Sequence, residues 1–157
     1  EVTESGVINA LFEITPMDKV VERKGFSLLD IKKLAEAIGY KATGYKMDVE
    51  HLRSVGKPVL VPIEFRKYKH FVIVKAVIAD RVFIADPAAG NMSMKVDQFE
   101  QFWASRIGLV IEDPKRPDFH TEEMAVRRKD FLVADYKMMR RLMDNAFIRT
   151  AVYPSEY

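Results

Sequence analysis

Tyr68-Lys69-His70-Phe71-Val72-Ile73-Val74 and Arg81-Val82-Phe83-Ile84-Ala85-Asp86-Pro87 are two apolar, β-branched runs joined near Ala79-Asp80-Arg81. Runs of this kind bounded by turn formers predict two strands of an antiparallel hairpin. The first carries a histidine at its leading edge and the second a carboxylate at its trailing edge. Paired side by side, such strands bring imidazole and carboxylate within hydrogen-bonding reach, which is the base-and-orienter half of a catalytic triad. The third member of a triad is a nucleophile, and these 157 residues contain no cysteine.

Upstream of the hairpin the pattern is mostly helical. Thr3 is placed to cap a helix with apolar positions Val7, Ile8, Leu11 and Phe12. A short helical turn follows, with Pro16 expected at its first position. Ser27 caps an amphipathic helix from Leu28 to Ile38 whose apolar side is Leu28, Ile31, Leu34, Ala35 and Ile38, and Gly39 stops it. Tyr40 to Met47 reads as extended, and Asp48 opens a short helix through Val55. Val59 to Phe65 is a strand whose Pro62 predicts an edge or a bulge. Downstream of the hairpin, Met92 to Lys95 is a short strand, Asp97 is expected to cap a helix to about Trp103, and Ile107 to Ile111 is a closing strand. Helices first and an antiparallel sheet second make residues 1–112 an α+β unit, because nothing alternates as strand–helix–strand. Asp113-Pro114-Lys115-Arg116-Pro117 is a linker by composition. Residues 113–157 read as that linker followed by a helical C-terminal extension, with Met138, Met139, Leu142, Met143 and Phe147 at helical spacing.

Composition narrows the function classes. The chain is 48% apolar and 31% charged, with a net charge of +2, so no basic excess points to nucleic acid. No apolar run is long enough for a membrane helix, and no signal peptide is visible. A chain without cysteine has neither disulfides nor thiolate metal sites. His51, His70 and His120 lack the tight spacing of a zinc site, so no metal and no cofactor is expected. His51 and His120 read as solvent-exposed, and Trp103 as core. Arg127, Arg128 and Lys129, with Arg140 and Arg141, read as a solvated face. Taken alone, His70 is as well explained as a polar strand-end residue, and Asp86 before Pro87 as a turn former.

Several segments together carry a family resemblance. Gly25-Phe26-Ser27-Leu28-Leu29-Asp30, Leu34 to Ala42, Pro58-Val59-Leu60, Lys69-His70-Phe71-Val72 and Ile84 to Gly90 occur in the order seen in bacteriocin-processing cysteine peptidases. Phe99 to Trp103 and Gly108 to Ile111 also fit. The resemblance covers about residues 1–112. It implies a papain-like fold and a peptidase that removes double-glycine leaders, with His70 as general base and Asp86 as its orienter. Stand-alone relatives accompany export of secreted peptides and functional amyloid, which implies a peptide or protein substrate, export machinery as partner, and a periplasmic or cell-envelope location.

The family's nucleophilic cysteine and its oxyanion-hole glutamine have no counterpart here. Either they lie before Glu1, or the protein is a degenerate member that binds a secretion substrate without cutting it. The match of Val2-Thr3-Glu4 to positions shortly after the family's cysteine helix favours the first alternative. The fragment alone is then expected to be inactive. Apolar surface that would normally meet the nucleophile helix predicts self-association or a bound N-terminal fragment.

Overall fold

The computed structural model describes residues 3–65, 68–116 and 124–131. Helix α1 (Glu4–Ile14) starts at Thr3, whose hydroxyl accepts the Gly6 N–H, and it buries Leu11. Helix α2 (Met17–Arg23) has Pro16 as its N-cap, one place earlier than the sequence suggested, because Pro16 sits at ψ 142°, outside the helical range. Helix α3 (Leu28–Ala37) begins with a reciprocal capping box between Ser27 and Asp30. Gly39 at φ +93° then turns the chain into β1 (Lys41–Lys46). Helix α4 (Val49–Val55) is capped by Asp48, whose carboxylate accepts the His51 N–H.

The remaining elements are β2 (Val59–Phe65), β3 (Tyr68–Ile78), β4 (Arg81–Asp86), β5 (Gly90–Lys95), α5 (Val96–Phe102), β6 (Ile107–Glu112) and a 3-10 turn at Arg128–Phe131. Asp97 lies inside the first turn of α5, and Lys95 is the N-cap with no side-chain bond, because the chain enters the helix directly from β5. The predicted helix beyond Phe131 lies outside the described residues, as do His120, Arg140 and Arg141.

All six strands form one sheet in the order β1-β6-β2-β3-β4-β5, with every pair antiparallel. This is the α+β architecture expected. β2 is an inner strand, yet its ladder with β6 spans only Val59 and Leu60. Pro62 therefore lies where β2 has one neighbour, which is why the missing N–H is tolerated.

Two apolar clusters lie on opposite faces of the sheet. The larger joins Val59, Val61 and Ile63 of β2 to Val72, Val74, Val82 and Ile84 of the hairpin under α4 and α5. Trp103, fully buried in it, donates its indole N–H to the Ile107 carbonyl at 2.9 Å. The smaller joins Ala35 of α3 to Ala42 and Leu109. Burial of each Val, Ile or Leu side chain in these clusters contributes roughly 1.5–3 kcal/mol. His70 and Asp86 stand two residues beyond Val72 and Ile84 on the same strands. Strand alternation therefore puts both on the face of the larger cluster.

Candidate active site

β3 and β4 deliver the two side chains. Their register pairs Ile73 with Ala85, and one further step sets Asp86 opposite Val72 and diagonal to His70. A diagonal separation across a sheet is within reach of long polar side chains. The His70 Nε2 and Asp86 Oδ1 atoms are 3.0 Å apart, with side-chain exposures of 15% and 1%. The geometry demanded of a base and its orienter is present.

The same oxygen does more than meet the imidazole. Asp86 Oδ1 accepts the backbone N–H of Ala88 at 2.7 Å and of Ala89 at 3.0 Å. Such bonds are the usual device by which Asp closes a turn. Turn former and imidazole partner are thus one role, since the turn holds the oxygen that the ring meets. Asp86 Oδ2 is buried with no hydrogen-bond partner among the described residues.

Burial pushes the Asp86 carboxyl up. The hydrogen bond and charge of His70, with the N–H groups of Ala88 and Ala89, outweigh that and hold it below the ordinary 3.8. Asp86 is therefore a carboxylate at neutral pH. An ionised carboxylate at Nε2 selects the tautomer with hydrogen on that nitrogen and leaves the ring's lone pair on Nδ1. An imidazole so arranged can take a proton at Nδ1, and the carboxylate stabilises the imidazolium formed.

His51 is exposed on α4 and makes no side-chain contact with this pair among the hydrogen bonds and ion pairs of the described residues. Among the described residues no group of three or more His, Cys, Asp or Glu side chains could hold a metal ion, and no helix is long and apolar enough to cross a membrane. Arg127 and Arg128 are exposed, as their composition suggested. One pair was not anticipated. Lys75 Nζ lies 3.1 Å from Asp130 Oδ2, with both side chains buried. The signal for it was a break in alternation, since the core valines fall at 72, 74 and 77.

Comparison with known proteins adds relatives and a family. The chain is 40% identical over 111 residues to the probable functional amyloid protease FapD of Pseudomonas fluorescens, covering 71% of this chain and 49% of that protein. It is 33% identical over 82 residues to the lactococcin-G-processing and transport ATP-binding protein LagD of Lactococcus lactis, covering 50% of this chain and 12% of LagD. The chain thus spans about half or less of the curated relatives it matches.

Among solved structures, the peptidase domain of Streptococcus ComA, a bi-functional ABC transporter, superposes with a TM-score of 0.54 at 19% identity. That match covers 66% of this chain and 76% of the ComA chain. A double glycine motif protease from an AMS/PCAT transporter, solved with its leader peptide, gives 0.51 at 26% identity over 71% of this chain and 85% of the other. These neighbours share the papain-like arrangement of helices and antiparallel sheet. The peptidase C39 profile matches residues 16–116, a span that includes both strands of the histidine–aspartate hairpin. The chain belongs to the peptidase C39 family.

Proposed function

We propose that this chain carries the histidine–aspartate half of a cysteine endopeptidase that processes a leader or component of a peptide or protein export system, cleaving after small residues such as Gly-Gly. The observation that carries the proposal is the 3.0 Å contact between His70 and a buried, ionised Asp86. Membership of the C39 family supports thiol chemistry at that contact. The names of the relatives support the export setting: a functional amyloid protease, and a double glycine motif protease solved with its leader peptide. A periplasmic or cell-envelope location is part of the same proposal.

These 157 residues contain no cysteine, so the attacking sulfur has to be supplied from outside them. His70 Nδ1 takes the thiol proton, and the resulting thiolate attacks the scissile carbonyl carbon. The imidazolium, steadied by Asp86, then gives that proton to the leaving amine as the carbon–nitrogen bond breaks. Water hydrolyses the acyl-sulfur bond with His70 again acting as base.

The missing cysteine also favours a second reading, in which the domain holds an export substrate without cutting it. One experiment separates the two. The reading frame extended upstream of Glu1 is expressed, incubated with a double-glycine peptide, and the products are weighed by mass spectrometry. Cleavage abolished by His70→Ala supports the peptidase. Cleavage that survives His70→Ala refutes the assignment, and binding without cleavage selects the second reading.

A further inference from the structure

β3 and β4 do not keep one register. Next to the hairpin turn the partners are Ile78↔Arg81, Val77↔Val82 and Ala76↔Phe83, whereas past Lys75 they are Val74↔Ile84 and Ile73↔Ala85. Lys75 is the extra residue of a β-bulge. Residues opposite one another in an antiparallel pair share a face, and a slip of one residue moves a side chain to the other face. Had the hairpin register continued, Asp86 would lie opposite Ile73, on the face away from Val72 and His70. The bulge sets it opposite Val72 instead. The core valines at 72, 74 and 77, spaced by two and then by three, carry the imprint of that slip.

The bulged residue is itself anchored. The Lys75 and Asp130 side chains are 1% and 3% exposed, with Nζ and Oδ2 3.1 Å apart. That oxygen also accepts the Arg127 N–H at 2.9 Å, while the Asp130 N–H donates to the Arg127 carbonyl and closes the 3-10 turn. The turn packs against β5. Phe83 and Ser93, which strand alternation puts on the sheet face opposite the larger cluster, are buried. Asp130 lies beyond residue 116, where the family match ends. Two buried charges are costly to desolvate, and the best-attested use of such a pair is to specify one arrangement over its neighbours.

We propose that Lys75 and Asp130 are positioning residues of the site: their ion pair pins the bulge that brings Asp86 onto the face of His70. The consequence for activity rests on the peptidase reading above, whereas the consequence for structure does not.

Asp130→Asn removes one charge and keeps the shape. Lys75→Met with Asp130→Leu removes both charges, so no unpaired ion is left buried to prevent folding. In the isotope-labelled chain, NMR follows cross-strand contacts between Val72 and Asp86, amide exchange at Val74 to Ala76, and the Asp86 carboxyl titration. In both variants exchange is expected to quicken about tenfold. The Val72–Asp86 contact weakens, and the Asp86 titration rises toward its ordinary value as the carboxylate leaves His70. In the protein carrying its nucleophile, kcat falls about tenfold while KM stays within about twofold, the signature of misplaced catalytic groups.

A folded variant of either kind with native exchange, contacts and titration overturns the proposal. So does an unchanged kcat when His70→Ala is inactive. Altered NMR with cleavage that even His70→Ala leaves intact removes the catalytic assignment of His70 and keeps the structural role, and altered NMR in a protein that binds without cleaving removes the peptidase reading and likewise keeps it.

Discussion

Replacing Asp86 by Asn and by Ala should give widely different results, because one carboxylate oxygen carries all the contacts. Oδ1 meets His70 Nε2 and the N–H groups of Ala88 and Ala89, while Oδ2 is buried with no partner among the described residues. In Asp86→Asn the amide oxygen can occupy the Oδ1 position and keep all three bonds. The costs are the lost charge and an amide NH2 buried where Oδ2 was, together about 1–3 kcal/mol of stability. On the proposed peptidase function, losing the charge that would steady the imidazolium should slow turnover about tenfold, equivalent to roughly 1.4 kcal/mol.

Asp86→Ala instead removes three bonds to an ionised acceptor and strands two backbone donors. About 3–5 kcal/mol of stability should go, and an unoriented base should cost roughly 10²–10⁴ in kcat/KM. Urea unfolding measures the first quantity and cleavage kinetics of the nucleophile-bearing protein the second. The pH dependence adds a sign. The Asp86 carboxyl titrates below 3.8 in the fold, so its stabilisation is complete above that value and is lost as pH falls through the folded value. The stability gap between wild type and Asp86→Asn should therefore close in acid. Equal damage from Asn and Ala would refute the one-oxygen account, and an active Asp86→Ala would refute the catalytic one.

Two further outcomes test the scaffold. A Cβ added at Gly108 would sit 2.6 Å from Val59 Cγ1 and 3.2 Å from Met47 Sδ. Val59 is fully buried and cannot yield, so Gly108→Ala should cost about 1–3 kcal/mol and lower Tm by roughly 2–4 °C for each kcal/mol in calorimetry. Asp30 is buried and accepts the Thr15 hydroxyl at 2.7 Å, the Ser27 N–H at 2.8 Å and the Ser27 hydroxyl at 2.7 Å, joining the end of α1 to the start of α3. Burial raises its carboxyl and the bonds to Ser27 and Thr15 lower it further, for a net depression. Asp30→Ala should lower the unfolding free energy by about 2–4 kcal/mol at neutral pH, read as a lower urea midpoint with little change in m, an effect that shrinks in acid. An unchanged midpoint would show that the network is not stabilising.

Much of the fold was legible because it is written in local chemistry. Thr3, Ser27 and Asp48 cap the helices they were expected to cap, since a side-chain oxygen at the N-terminus satisfies donors that nothing else can reach. β2 runs from Val59 to Phe65 as its β-branched residues predicted. Asp97 was misplaced as a cap because its type fits the role, while the strand that feeds α5 leaves Lys95 there.

His70 and Asp86 are candidates by chain position, since the order of the motifs that carry the resemblance is written in one dimension. Their residue types, the turn after Asp86 and the strands that carry them all followed from neighbours within a few residues. Their shared face did not. Side-chain parity across a hairpin changes sign with every inserted residue, so it depended on a bulge at Lys75, and Lys75 is held by Asp130, 55 residues later in the chain. Local pattern carries no term for such a partner. The insertion of β6 between β1 and β2 is likewise a matter of long-range pairing, settled when the chain closes on its core.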